Sequence, residues 1–150
     1  MAIEVSSPAF DQGGIIPTKY TGEGQDVSPA LNWSDLPEGT RETALVCDDS
    51  DAPRPEPWVH WVLYKVSADS IGLPEGGTEG ALEGENDFGR RGYGGPMPPV
   101  GHGVHHYDFK VYALDAELER AAGLTKDQLL EAMEGHVLDE GKLVGTYERK

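Results

Sequence analysis

The 150-residue chain predicts a mainly β single domain, and three observations carry that reading. Its 20 glycines and 11 prolines make up about one residue in five, against roughly 12% in average usage, and they are scattered along the chain instead of gathered in a linker. Turns at that density imply many short strands. Two longer segments place apolar residues at every second position, the period of a strand. Helix-forming patterns appear only after residue 114. A chain of this length suits one core that buries roughly two-thirds of the unfolded surface.

Taken in order, residues 44–48 (Ala-Leu-Val-Cys-Asp) form a short apolar run ending in acids, a central strand that delivers Asp48 or Asp49 to a sheet edge. Residues 58–66 are rich in aromatic and β-branched side chains, and strict alternation puts Trp58, His60, Val62, Tyr64 and Val66 on one face. The glycine- and glutamate-rich stretch 72–86 predicts a long exposed loop. Residues 107–114 alternate, with Tyr107, Phe109, Val111 and Ala113 on one face, joined by His105 if the strand starts early enough. A short helix is expected over 115–122, closed by Gly123. Thr125 and Gln128 form a capping box that opens a second helix, with Leu129, Leu130, Met133 and Val137 as its apolar stripe. Gly141 is expected to end that region, leaving 143–147 as a last short strand.

With 27 acidic against 12 basic side chains, the formal net charge of −15 repels nucleic-acid phosphates and anionic lipid surfaces. Acid excess with few lysines predicts a surface suited to high salt, as in a halophile, where self-repulsion is screened within about 3 Å at 1 M. Apolar runs such as Trp61-Val-Leu-Tyr64 are far shorter than the roughly 20 residues a bilayer span needs, so stable membrane insertion is not expected. The start of the sequence carries no export pattern, and a cytoplasmic location is the expectation. Cys47 stands alone and reads as a small core residue.

The chemistry collects in three segments: Asp48-Asp-Ser-Asp-Ala-Pro53, Trp58-Val-His-Trp61, and the run from Gly92 to Tyr107. Four of the five histidines lie in the last two. Between Asp87 and Asp108 stand twenty residues with two arginines, three histidines and no acid. This composition predicts a local island of neutral or positive potential, with glycine N–H groups able to approach an anion and prolines fixing the loop.

Asp49-Ser-Asp-Ala-Pro53, then Trp58-x-His60, then Gly95-Pro-Met-Pro-Pro-x-Gly-His-Gly-x-His105-x-Tyr107, in that order, resemble the signature of the phosphatidylethanolamine-binding protein family. Val27-Ser-Pro-Ala-Leu-Asn-Trp33 near the start, and Gly135-His-Val-Leu138 with Leu143-Val-Gly-Thr-Tyr147 near the end, are similar to its bacterial and archaeal Raf-kinase-inhibitor-like branch. The resemblance implies two packed, antiparallel-rich sheets with a few short peripheral helices, and a phosphate-type pocket at strand ends. It further implies that Asp49 and His60 pair at the pocket floor, that His105 and Tyr107 line its wall, that Trp58 shields one side, that Gly95 offers its N–H, and that Pro98 and Pro99 shape the rim. Homodimers are an expectation by the same analogy, and a protein partner stays unknown. Ser50 and Met97 depart from the family's usual Pro and Cys.

The expected function is capture of a small anion, whether phosphate, phosphomonoester or lipid head group, by a regulatory or sensing module without turnover and without a cofactor. The alternative is an acid–base hydrolase, or a protein resembling a protease inhibitor, using the same Asp/His pocket. Asp49, His60 and Ser50 superficially supply the parts of a hydrolase, but no nucleophile elbow is present. His60, His102, His105, His106, Asp49 and Asp51 are metal-ligand types, yet His105 and His106 are consecutive on a strand, so at most one enters the pocket. No metal is expected. His102 is read as closing the glycine-rich turn, and Arg90 and Arg91 either clamp an anion or sit as solvated surface cations.

Overall fold

The computed structural model describes residues 3–150. Eight strands and one α-helix follow in the order β1 (Glu4–Ser6), β2 (Leu31–Ser34), β3 (Glu42–Asp49), β4 (Trp58–Ser67), β5 (Gly72–Leu73), β6 (Leu82–Glu83), β7 (His105–Leu114), α1 (Lys126–Met133) and β8 (Val137–Tyr147). A small antiparallel sheet runs β1-β2-β5 and a larger one β6-β4-β3-β7-β8, also antiparallel.

Strand β3 is the middle of the larger sheet, and all eight of its residues are buried. Leu45 and Cys47 face the small sheet, packing with Val5, Leu31, Trp33, Trp61 and Phe109. Ala44 and Val46 face the other way, into a second cluster closed by Leu129 and Met133 of α1. Alternation along β3 therefore separates the two acids at its end. Asp48 lies on the helix side, paired with Lys126 at 2.7 Å and Lys110 at 3.6 Å, and Asp49 lies on the other.

Two irregularities break the simple alternation expected of β4. Cys47 pairs with Trp61 while Asp48 pairs with Val59, so His60 is the extra residue of a β-bulge. A second register shift falls at Lys65, whose φ is +58°. Consequently Val62 and Tyr64 pack toward α1, whereas Trp61, Leu63 and Val66 pack toward the small sheet. Strand β7 keeps its alternation: Tyr107, Phe109, Val111 and Ala113 share one face, and Tyr112 and Leu114 the other.

Four further expectations are corrected. Residues 115–122 form no helix, because side chains of the sheet take their backbone groups. The Leu118 N–H donates to Glu42, Lys65 donates to the Leu118 carbonyl at 2.8 Å, and the Tyr64 hydroxyl donates to that of Ala121. Gly141 ends nothing: β8 runs through it, and an added Cβ would collide with the Ile3 carbonyl. Helix α1 starts at the Thr125–Gln128 capping box but stops at Met133, so Val137 opens β8 half exposed instead of extending the stripe. The 72–86 stretch is not wholly an exposed loop either. It holds β5 and β6, and Asn86 is buried, donating to the Gly92 carbonyl while accepting from the N–H groups of Phe88 and Arg90.

Candidate functional site

Because the strands are antiparallel, the end of β3 and the starts of β4 and β7 meet at one edge of the larger sheet. In the register there, Asp49 stands opposite Trp58 on one side and Tyr107 on the other. A hollow of about 250 Å³ opens at this point, lined by Asp49, Trp58, His60, His105 and Tyr107. Its walls are completed by Ala52, Pro53, Phe88, Met97, Pro98 and Pro99. Seven of the eight residues expected at the site, all but Gly95, thus come together.

Asp49 pairs with His105, not with His60 as expected. The His105 Nδ1 donates to Asp49 Oδ2 at 2.6 Å, with both side chains buried. The other carboxylate oxygen, Oδ1, accepts the Asp51 N–H at 2.8 Å, which tightens the turn after β3. His105 Nε2 in turn meets His102 Nδ1 at 2.7 Å, so a hydrogen-bonded chain runs Asp49, His105, His102 toward the surface. His102 therefore reaches a pocket histidine through its ring, instead of serving only its own turn.

The bulge in β4 turns His60 into the hollow, where its ring meets Tyr107 edge to face at 5.1 Å. Its Nδ1 lies 2.6 Å from the Gly94 carbonyl, and a carbonyl only accepts, so this nitrogen carries a proton. Burial pushes the imidazole below its ordinary value of 6.5, against the pull of the Gly94 carbonyl, Asp49, the Gly95 carbonyl and Asp48. The ring is therefore neutral at pH 7, with Nε2 as an acceptor. Tyr107 is 1% exposed, and burial, reinforced by Asp49, pushes its phenol far above the usual range. Of the buried side-chain polar atoms without a partner among the described residues, only the Tyr107 hydroxyl belongs to a residue lining the hollow.

Gly95 is the residue that the expectation misplaced. Its N–H donates to Asp26 at 2.7 Å, and an added Cβ would strike the Tyr20 carbonyl, so the N–H is committed to packing and the glycine acts on the hollow only through its carbonyl near His60. The acid-free island is likewise a property of the chain and not of space. Asp26 reaches Gly95 and lies 3.9 Å from Arg90, Asp51 takes both the N–H and the ring of His106, and Asp49 lies within the hollow. Of the two consecutive histidines, His105 is buried in the site and His106 is exposed. Neither Arg90 nor Arg91 lines the hollow. Among the described residues no group of three or more His, Cys, Asp or Glu side chains is placed to hold a metal. No helix among them is long and apolar enough to cross a membrane.

Sequence reasoning missed Phe88, Met97, Ala52 and Pro53 as wall residues and His102 as the outer partner of His105. Phe88 is one of only three phenylalanines and stands in a polar stretch, which is the signal that was available. Its ring packs on both Trp58 and His60, at 5.5 and 5.3 Å.

A family profile described as phosphatidylethanolamine-binding protein matches residues 6–148. A UPF0098 protein of Methanothermobacter thermautotrophicus is 45% identical over 153 residues, spanning 98% of this chain and 99% of that protein. The phosphatidylethanolamine-binding protein homologue CT736 of Chlamydia trachomatis has the same fold with a TM-score of 0.93 at 40% identity, over 99% of both chains. YbcL of E. coli, described as a member of the mammalian PEBP family, gives 0.92 at 33% identity over the whole of both chains.

Proposed function

The chain belongs to the phosphatidylethanolamine-binding protein family, and from that premise we propose that its hollow captures a small oxyanion of the phosphate class without turning it over, as a sensing or regulatory module. The observation that carries this reading is the Tyr107 hydroxyl, a buried donor with no partner among the described residues. A buried hydroxyl left unpaired costs about 1–3 kcal/mol, and a ligand oxygen that accepts from it recovers that cost. Walls of Trp58, Phe88 and the prolines keep the local dielectric low, which strengthens the bond.

The composition of the lining supports binding without turnover. Among the described residues no serine, threonine or cysteine lines the hollow, and the proton of the one hydroxyl they place there is held tightly by burial. Both oxygens of Asp49 are already hydrogen-bonded. The Asp49–His105 pair does have the form of a base and its orienter, which is the one observation favouring a hydrolase.

Calorimetric titration with inorganic phosphate in molar KCl tests the reading. Saturable binding that Tyr107→Phe weakens is expected; no heat, or an affinity the substitution leaves unchanged, rejects it. A panel of phosphatase, esterase and peptidase substrates should show no turnover. Steady turnover abolished by Asp49→Ala would replace capture with catalysis.

A further inference from the structure

We infer that the hollow selects a singly protonated oxyacid, a phosphomonoester monoanion bearing one P–O–H, over phosphodiesters and sulfate, because two adjoining rings in its lining carry one acceptor, His60 Nε2, and one donor, the Tyr107 hydroxyl. This inference rests on the oxyanion reading above and narrows its ligand class.

The polar atoms of the hollow can be followed one by one. Asp49 gives its oxygens to His105 and to the Asp51 N–H. His105 spends Nδ1 on Asp49 and Nε2 on His102. His60 spends Nδ1 on the Gly94 carbonyl, and its Nε2 makes no hydrogen bond among the described residues. Tyr107 makes none through its hydroxyl. Of these four side chains, what remains uncommitted among the described residues is one lone pair and one O–H, on rings packed edge to face at 5.1 Å. A fully ionised oxyanion can accept from the tyrosine but has nothing to offer the histidine. A P–O–H can donate to Nε2 while a second oxygen of the same group accepts from Tyr107.

Charge points the same way. Among the described residues no lysine or arginine lines the hollow, while Asp49 does. Three nearby guanidiniums are engaged elsewhere: Arg54 lies over the Trp58 ring at 4.6 Å and is paired to Asp87, Arg90 lies over Phe88 at 5.6 Å near Asp26, and Arg149 donates to the Pro98 carbonyl at 3.3 Å and lies 3.5 Å from Glu23. The titratable groups that share the hollow with His60 among the described residues are Asp49 from β3 and Tyr107 and His105 from β7, while Asp48 acts on it from the opposite face of the sheet, where Lys126 and Lys110 pair with it, so the lining supplies no fixed cation for a second negative charge. A diester head group carries its single charge without a proton to donate, and so resembles sulfate in this respect.

The test titrates the full chain in molar KCl with glycerol 3-phosphate, glycerophosphoethanolamine and sulfate, from about pH 5.5 to about pH 8.5. The monoester should bind at least about tenfold tighter than the diester or sulfate while it retains its second proton, the value of one uncompensated polar contact. Its affinity should then fall about tenfold per pH unit once that proton is lost, while sulfate shows no such fall. Diester or sulfate binding equal to that of the monoester, or monoester binding that strengthens as the proton leaves, overturns the selection and leaves the oxyanion reading standing. Failure of all three ligands and of inorganic phosphate to bind overturns both. In His60→Asn the amide N–H can take over the bond to the Gly94 carbonyl while Nε2 is gone, so discrimination should shrink to within about threefold. Tenfold discrimination retained by that variant refutes the role of His60, and if it does not fold, the pH series on the unaltered chain decides.

Discussion

Tyr107→Phe should raise the stability of the free protein and lower its affinity for phosphate, two effects of opposite sign from one oxygen atom. The ring is 1% exposed and packs in the core with Phe109 and Trp61, and phenylalanine keeps that packing. Only the hydroxyl is lost, and it has no partner among the described residues. Removing an unpaired buried hydroxyl relieves about 1–3 kcal/mol. At about 2–4 °C per kcal/mol for a chain of this size, the melting temperature in phosphate-free buffer should rise by at least about 2 °C. A hydrogen bond to a charged group is worth about 1.5–3 kcal/mol, so phosphate should bind the variant about 10- to 150-fold more weakly. Scanning calorimetry with and without phosphate reads both quantities, because ligand at about 100 times Kd adds about 2.7 kcal/mol to the unaltered protein. A variant that melts lower than the parent without phosphate would mean that the hydroxyl is already satisfied in the free state, and the reasoning would fail.

Glu42→Ala should cost about 3 kcal/mol, seen as a lower urea midpoint, because it strands the Leu118 N–H and loosens Lys65. Phosphate affinity should not change, since Glu42 begins the strand that Asp49 ends. Gly141→Ala should cost about 1–3 kcal/mol by forcing Ile3 away from β8, again read by urea denaturation. His60 gives stability a sign with pH. Its folded-state value lies below the ordinary 6.5, so under acid the unfolded chain binds more protons than the folded one. Stability from this group is complete above pH 6.5, declines as pH falls below it, and levels off past the lowered folded value. His60→Asn should flatten that decline in a series of urea midpoints.

The order of the strands' chemistry was legible because it follows from residue type alone. Alternation across His105, Tyr107 and Phe109 places those three correctly, and the capping box at Thr125 opens α1 where expected. The errors share a cause, which is that partners come from segments distant in the chain. Alternation through 58–66 failed because a bulge adds one residue at His60, and nothing local in Trp-Val-His-Trp announces it. The pairing of Asp49 was assigned to His60 when the register brings His105 to it instead. Residues 115–122 have the composition of a helix but are held open by Glu42, Tyr64 and Lys65, far upstream. Gly95 resembles a ligand-binding glycine and is in fact a packing glycine, a distinction that only the Tyr20 carbonyl and Asp26 make.

Strand β8 pairs with β7 from Leu114 back to His105, where Tyr147 is the partner, and Gly13, Gly14 and Ile16 bond to the outer edge of β8 at Val144 and Thr146. During synthesis, then, the wall of the hollow that bears His105 is one of the last parts to find its neighbour. The amino-terminal strap must wait for more than a hundred further residues to emerge before it has an edge to grip. Such long-range closure slows folding and leaves β7 with a bare edge in the interval. A ribosome stalled ahead of Val137 would present a chain with every pocket side chain made but with β7 uncovered along the edge that β8 later takes, and protease nicking of stalled chains would fall on that side.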